Sequence, residues 1–384
     1  WRRFRTLLNM LVVLGILVSP VPGMTISRAQ EPSHDQRYFD DADALSVQKA
    51  DAFFAANITA EPDRKLLYFA RVLDNELVVM EYDTLTGEMY TKLTQHFVDA
   101  VEILPALSPG STRIAVTLIP EDENALWHSE IWVGDLSGSP LQRLVANTMP
   151  TVPVWSHDDD RLVFTRLIAM EGVSNRIEIR EIGVTSIQEE RLVLQNEAME
   201  IHPLFWSQDD TVLYYHEFHN NGDAPVWTLD TTNDTTQVLI PGTLGQLPYD
   251  LVLNPRGDQL AFAWVNRESH EFSYEVRTLN LYTGALDSIA QSSYLELWGL
   301  HWVSSGASLL FNGANESAGY QTVLMASDNS PGLKEAALLN GTHLLDVYAD
   351  GQMLIEKDAL SDWEVYLIGT DDRKTVVSTS AYPL

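Results

Sequence analysis

The sequence predicts an all-β chain of seven units, each of four antiparallel strands, arranged as a seven-bladed β-propeller. Two observations predict it. One is a strand–turn–strand unit that recurs at a nearly constant interval. The other is the apolar patterning inside each unit, which suits a sheet covered on both faces.

The unit is most legible from Pro153 to Arg166, Pro-Val-Trp-Ser-His-Asp-Asp-Asp-Arg-Leu-Val-Phe-Thr-Arg. It returns at Leu204–Tyr215 and again at Leu251–Phe262. Aligned on the tight turn, the anchors are Ala60, Ser108, Ser156, Ser207, Asn254, Val303 and Tyr348, spaced 45 to 51 residues apart. That interval is close to the length of a four-stranded propeller blade. The runs after the turn, such as Leu162-Val163-Phe164 and Leu309-Leu310-Phe311, are apolar throughout. A strand buried on one face alternates; a strand buried on both does not. Independent β-sandwiches would not demand so regular a period.

Taken in order, the chain begins with Arg2, Arg3 and Arg5, an apolar run from Leu7 to Val18, and small residues ending Ser27-Arg28-Ala29. A basic head, a short apolar core and small residues at the last and third-last positions make a secretory signal, residues 1–29. The core is about a dozen residues, too short for a bilayer span, which needs about 20; an uncleaved N-terminal anchor is the competing expectation. Residues 30–50 are a polar tether with a possible short helix over Asp41–Ala50. The propeller is assigned to 51–379 and a tail to 380–384. Within each unit a third strand follows a variable loop, for example Glu130–Val133 or Val226–Leu229, and a polar turn such as Tyr282-Thr283-Gly284 leads to a short fourth strand. Gly257, Gly306 and Gly351 fall where the inner hairpin needs positive φ, and Asp159 and Asp210 stand in their place elsewhere.

Composition sets the compartment and excludes some partners. There is no cysteine, which removes disulfides, thiolate metal sites and lipoprotein anchoring. Export without disulfides is ordinary for bacteria. The net charge is −30, from 54 acids against 24 bases. Such a surface repels phosphate backbones and anionic lipid, so nucleic acid is excluded as an expected partner, as is stable membrane insertion beyond the N-terminal segment.

The turn segments Trp155-Ser156-His157-Asp158-Asp159 and Trp206-Ser207-Gln208-Asp209-Asp210, with Asn254-Pro255-Arg256-Gly257 and Ser108-Pro109-Gly110, resemble the TolB-type (WD40-like, PD40) propeller repeat, a Trp-Ser-Pro-Asp-Gly turn followed by an apolar strand. The resemblance spans about residues 51 to 379. It implies a propeller and is poorly specific for function, since such propellers occur as periplasmic scaffolds, as gating domains of prolyl-oligopeptidase-like peptidases and as lyases. The sequence holds no Gly-x-Ser-x-Gly nucleophile elbow, and the segment before Phe53 and the end at Leu384 leave the expectation of a propeller alone.

No phosphate loop, His-Glu-x-x-His or dinucleotide fingerprint occurs. Asp158-Asp159-Asp160 looks metal-binding but falls in an inner turn where Asp is structurally favoured. Asp230–Asp234 resembles the start of a calcium loop without its Gly and distant Glu, and fits the turn between third and fourth strands. No cofactor is expected. The innermost strand of a blade runs down the channel, so the residue five before each anchor lies near one channel mouth. Four successive units place His202, Tyr249, Trp298 and His343 there. These side chains stack on and hydrogen-bond ligands, and they equally plug a channel. Polar loops on the same face carry Trp127, Phe218 and Phe272, which fit partner anchors or a folded-back rim. The expectation is an exported, non-enzymatic propeller that binds a protein or peptide of the cell envelope through its loop-rich face. The alternative is a saccharide lyase or hydrolase with His202, Tyr249 and His343 around a metal. A protomer whose catalytic domain is a separate chain is the third.

Overall fold

The computed structural model describes residues 52–379 apart from short connecting stretches, among them 121–127, 169–175, 267–272 and 316–319. The signal, the tether and the tail therefore lie outside the described residues, as do Trp127, Phe272 and Gly351. The backbone of His343 is described and its side chain is not.

The described residues contain no α-helix. Their strands fall into seven antiparallel sheets, each built from consecutive strands in chain order. The first comprises Ala52–Ala56, Arg64–Leu73, Glu76–Asp83 and Glu88–His96, with the two-residue strand Ala60–Glu61 beside it. The second is Ala100–Leu107, Arg113–Pro120, Ser129–Asp135 and Gln142–Thr148. The third is Val154–Trp155, Arg161–Ile168, Arg176–Gly183 and Arg191–Asn196. The fourth is Glu200–Trp206, Val212–Phe218, Val226–Asp230 and Thr235–Ile240. The fifth is Gln246–Leu253, Gln259–Asn266, Ser273–Asn280 and Leu286–Ser292. The sixth is Glu296–Trp302, Ser308–Asn315, Tyr320–Ser327 and Ser330–Glu335. The seventh is Thr342–Val347, Met353–Asp358, Trp363–Ile368 and Lys374–Thr379. In each, the first strand is here termed inner and the fourth outer. The inner strand of the first sheet lies against that of the seventh.

The repeated turn has one construction. The anchor residue receives an N–H from three residues on, as in Asp159 to Ser156 and Gly257 to Asn254, and gives its own to the carbonyl five on. Its side chain accepts the N–H of that fifth residue: Ser108 from Arg113, Ser156 from Arg161, Ser207 from Val212, Asn254 from Gln259. This is why Ser and Asn recur at the anchor. The predicted positive-φ positions Asp159, Asp210, Gly257 and Gly306 have φ between 54° and 71°. In the second sheet Ser111 takes that conformation, and Gly110 serves another purpose. Its N–H meets the Asp159 carboxylate of the next sheet at 2.9 and 3.1 Å, and a Cβ there would fall 2.3 Å from Asp159 Oδ2. The next turn repeats the device: Asp210 accepts the His157 N–H at 3.0 and 3.1 Å and the Arg161 guanidinium at 3.2 Å.

The sheets pack face to face, and this explains the uninterrupted apolar runs. Leu162 and Phe164 join a cluster with Ala115, Ile131 and Val145 of the preceding sheet. Val163, between them, joins one with Ile201, Leu213 and Tyr215 of the following sheet. In the fifth sheet Leu260 and Phe262 turn back to Val226 and Ile240, while Ala261 and Ala263 turn forward to Leu309 and Phe311. Period-2 alternation persists; both sides of it are buried. Indole donors add to the joint. Trp155 and Trp302 each donate to a carbonyl of the preceding inner strand, Ala106 at 2.9 Å and Val252 at 3.1 Å.

Candidate functional site

The inner strands share a second feature. Their pairing register slips between Pro203 and Phe205, between Tyr249 and Val252, between Trp298 and His301, and between Leu344 and Asp346. A bulge re-aims the side chains around it and bends the strand. The four predicted residues lie at or one position before these bulges, at the end of each sheet opposite the tight turns. Their cross-strand partners are His216 for His202, Ala263 for Tyr249, Asn312 for Trp298 and Glu356 for His343. The structure thus puts all four backbones in one row of the repeat.

The environments differ. Tyr249 donates its hydroxyl to the Leu297 carbonyl of the sixth sheet at 2.7 Å. Beside it, Asp250 has φ 52° and accepts the Leu300 N–H at 2.9 Å. Burial pushes the Asp250 carboxyl above its ordinary range; the N–H groups of Leu300 and Gly299 and the charge of His301 act the other way. Gly299, at φ 65°, has no room for a Cβ, which would meet Asn312 Nδ2 at 2.6 Å. These bonds tie neighbouring inner strands together. Elsewhere the second strand of one sheet is tied to the start or inner strand of the next, by Thr117 to the Thr151 carbonyl, Thr165 to Ile201, and Asn312 reciprocally to Leu344. Trp298 is half-buried.

The fourth sheet carries the densest chemistry. On the face packed toward the fifth sheet, Glu200 and Phe218 are directly opposed, as are His202 and His216. His202 Nε2 lies 2.5 Å from Glu200 Oε1. Phe218 packs between the two imidazoles, with ring centroids 5.2 Å from His202 and 4.4 Å from His216. It ends the second strand and turns inward instead of standing in the loop. His216 Nε2–H donates to the Ala224 carbonyl at 2.7 Å, and burial pushes this imidazole down to about 4, so it is neutral near pH 7. Burial works against the charged form of Glu200, which is 7% exposed, but His202 and His216 outweigh it and hold the carboxyl below its ordinary range.

On the opposite face, Glu217 is 2% exposed, receives the Asn196 amide and lies 3.2 Å from His219 Nε2. Burial raises this carboxyl, with His219, Asn196 and Trp227 opposing. The adjoining loop is a compact turn, His219 to Asp223, braced on the next connection by the Ala224 N–H to Gly242 and the Leu244 N–H to Asp223 Oδ1. Leu244 beside it is 66% exposed.

The arrangement offers a carboxylate-oriented imidazole, flanked by aromatic rings, at one end of an otherwise apolar sheet. Among the described residues no group of three His, Cys, Asp or Glu side chains is placed to hold a metal ion. Glu200 and His202 are spent on each other and His216 on a carbonyl. Asp158 is held by Ser156 Oγ, and Asp230 accepts from Thr232 and Asn233, as turn residues do. Of the residues singled out from the sequence, this cluster contains His202, and Phe218, which the sequence places in a loop and which ends a strand instead; Glu200, His216 and Asp250 were not singled out. Glu200 and His202, like His216 and Phe218, are two apart on a strand and so share a face. Folding the hairpin about Ser207–Val212 without the bulge would have set His202 against Glu217, so the pairing with His216 depends on the register slip between Pro203 and Phe205.

No family model matches the chain, and no curated protein matches it in sequence. Solved structures do match in fold. Prolyl oligopeptidase B from Galerina marginata, bound to a 25mer macrocyclization substrate, superposes with a TM-score of 0.65 at 14% identity over 90% of this chain. The chain spans 54% of that protein's length. An oligogalacturonate lyase in complex with manganese gives 0.58 at 11% identity, covering 85% of this chain and 96% of its own. Oligogalacturonate lyase from Vibrio parahaemolyticus gives 0.57 at 10%, covering 84% and 98%. At these identities the likeness is one of architecture: this chain has the all-β fold of the β-propellers, built from four-stranded antiparallel sheets.

Proposed function

We propose that the seven sheets close into a single seven-bladed ring and that the protein is an exported propeller that binds a protein or peptide partner at the mouth formed by its inner strands. Contact between the first and seventh inner strands supports the ring. The observation that carries the binding role is the concentration of polar, titratable and aromatic groups at one end of the fourth to sixth sheets, where Glu200, His202, His216, Glu217, His219, Asp250 and Trp298 gather. The middle of those sheets is apolar. His202, Tyr249, Trp298 and His343 line the mouth in this reading, with Phe218 packed behind His202, and Trp127 and Phe272 form its rim. The N-terminal segment directs export. Recovery of partners from envelope extracts, with wild-type protein against a Trp298→Ala, Trp127→Ala, Phe272→Ala variant, tests this. Loss of a partner supports the mouth as the binding face; identical recovery sinks it.

One observation favours a second reading. The buried Glu200 holds His202 by a short hydrogen bond, and a carboxylate-oriented imidazole is the arrangement of a general base. A saccharide lyase or hydrolase using that pair is the alternative, in keeping with the architecture shared with oligogalacturonate lyases. Incubation with oligogalacturonates, scored by new unsaturated or reducing ends with and without added manganese, separates the two. Turnover abolished by His202→Gln establishes the enzyme; none under either condition removes it.

A further inference from the structure

The outer strand of every sheet is an edge, and an edge presents unpaired backbone N–H and C=O groups to any extended chain that meets it. Proteins guard such edges with charged side chains. Six of the seven outer strands here follow that rule, with Lys92, Arg143, Arg191, Asp287, Lys334 and Lys374. The outer strand of the fourth sheet does not: Thr235–Ile240 reads Thr-Thr-Gln-Val-Leu-Ile, without a charge or a proline. Its first four residues are exposed, and Val238 is 41% exposed. It ends the order of its sheet, with no described strand on its far side.

The charge around it is one-sided. From residue 192 to 255 the chain holds nine acids and no lysine or arginine. The hairpin that ends in this edge, Val226–Ile240, carries Asp230 and Asp234 and no base. The acids of the third sheet, by contrast, are met internally, as Glu178 is by Arg176 and Arg180 and Glu190 is by Arg166. A second copy of this chain would bring another −30 of like charge. An edge asks for an extended strand, and this neighbourhood asks for a basic one.

We infer that Thr235–Ile240 is a docking strand on which an extended, basic segment of a partner protein adds as a fifth strand to the fourth sheet. Main-chain hydrogen bonds supply the affinity, and the acids of the hairpin favour a lysine- or arginine-bearing flank. This surface is separate from the mouth and does not depend on it.

The test uses the full chain and two labelled synthetic peptides, Lys-Lys-Thr-Val-Thr-Val-Thr-Val and the same strand with Glu-Glu in front, read by fluorescence anisotropy. The basic peptide is expected to bind and to slow amide exchange across 235–240, with binding weakened at least about tenfold when Val238→Lys restores the missing guard. Gln237→Lys, on the opposite side of the strand, gives the same result if Val238→Lys perturbs folding. The acidic peptide is expected to bind at least about tenfold more weakly, and the difference to shrink with salt. Absence of binding by the basic peptide, equal binding by both variants, or equal affinity for the two peptides would each overturn the inference. So would sedimentation showing a dimer that Val238→Lys dissolves, since the occupant would then be a second copy.

Discussion

Replacing His202 by alanine removes the partner of a carboxylate that the fourth sheet has already taken out of water. Glu200 is 7% exposed, and His202 Nε2 is 2.5 Å from it. Leaving a buried carboxylate without its hydrogen-bond partner costs about 3 kcal/mol or more. The cost here sits at the lower end, because Glu200 escapes by taking up a proton. The sign of the pH dependence then reverses. In the wild type the folded carboxyl lies below its unfolded value of 4.5, so its stabilisation is present above that pH and is lost as pH falls through the folded value. In His202→Ala burial, the largest influence on Glu200, is opposed only by His216, so the folded carboxyl is expected to rise above 4.5 and stability to be lost instead as pH rises. The penalty should therefore be about 3 kcal/mol at pH 7 and fall to about 1 kcal/mol or less near pH 4.5. The paired variant Glu200→Leu, His202→Leu should return to within about 1 kcal/mol of wild type, since well-packed apolar replacements of buried pairs are close to neutral. Urea unfolding followed by tryptophan fluorescence at the two pH values measures all three proteins. A penalty that does not change with pH, or a double variant as unstable as the single, would refute the account of Glu200 as a charge held in place by His202.

Further outcomes follow from the same physics. His216 is pushed down to about 4 from 6.5 by burial, so the unfolded chain binds the extra proton between those values; stability is complete above pH 6.5 and falls by about 3 kcal/mol as pH drops to 4. His216→Gln should flatten that acid limb in pH-dependent melting, and an unchanged slope would count against it. Asp210→Asn keeps the turn's backbone but weakens its acceptance from His157 and Arg161, for about 1–2 kcal/mol, while Asp210→Ala adds about 1 kcal/mol of strain at φ 54°. Equal melting temperatures for the two would show that backbone conformation is irrelevant there. Gly242→Ala would put a Cβ 2.1 Å from the Ala224 carbonyl oxygen, so it should cost about 1–3 kcal/mol or more and speed amide exchange across 219–225; normal exchange in that loop would argue that the brace is dispensable.

The architecture was legible because it is written redundantly. The anchor at Ser156 and its counterparts carry a turn whose chemistry is local: a Ser or Asn to accept an N–H, then a residue that tolerates positive φ. Leu162-Val163-Phe164 announced two covered faces without coordinates. The site was half legible. His202, Tyr249 and Trp298 came from counting back from the anchors, which works because the repeat fixes register. Glu200 and His216 were missed because their meaning lies in cross-strand pairing past a bulge at Leu204, and a bulge leaves no composition signature. Phe218 looked like a loop residue because polar neighbours surround it in sequence, whereas in the sheet its neighbours are two imidazoles. The reach of Asp159 to Gly110, 49 positions away, is invisible to any window shorter than a blade.

That reach gives the chain a direction. Gly110 waits for Asp159, and His157 for Asp210, so these two hairpins are finished by residues that leave the ribosome only after one more sheet has been made. Over this part of the chain the nascent array is thus one sheet short of complete until the next turn emerges. Cutting the chain between the third and fourth sheets would leave the upstream fragment with an unclaimed N–H at His157 and an Arg161 short of one of its carboxylates, and the downstream fragment with a bare Asp210. The two pieces would carry matched ends, open donors on one and an open acceptor on the other, and they should find each other again when mixed.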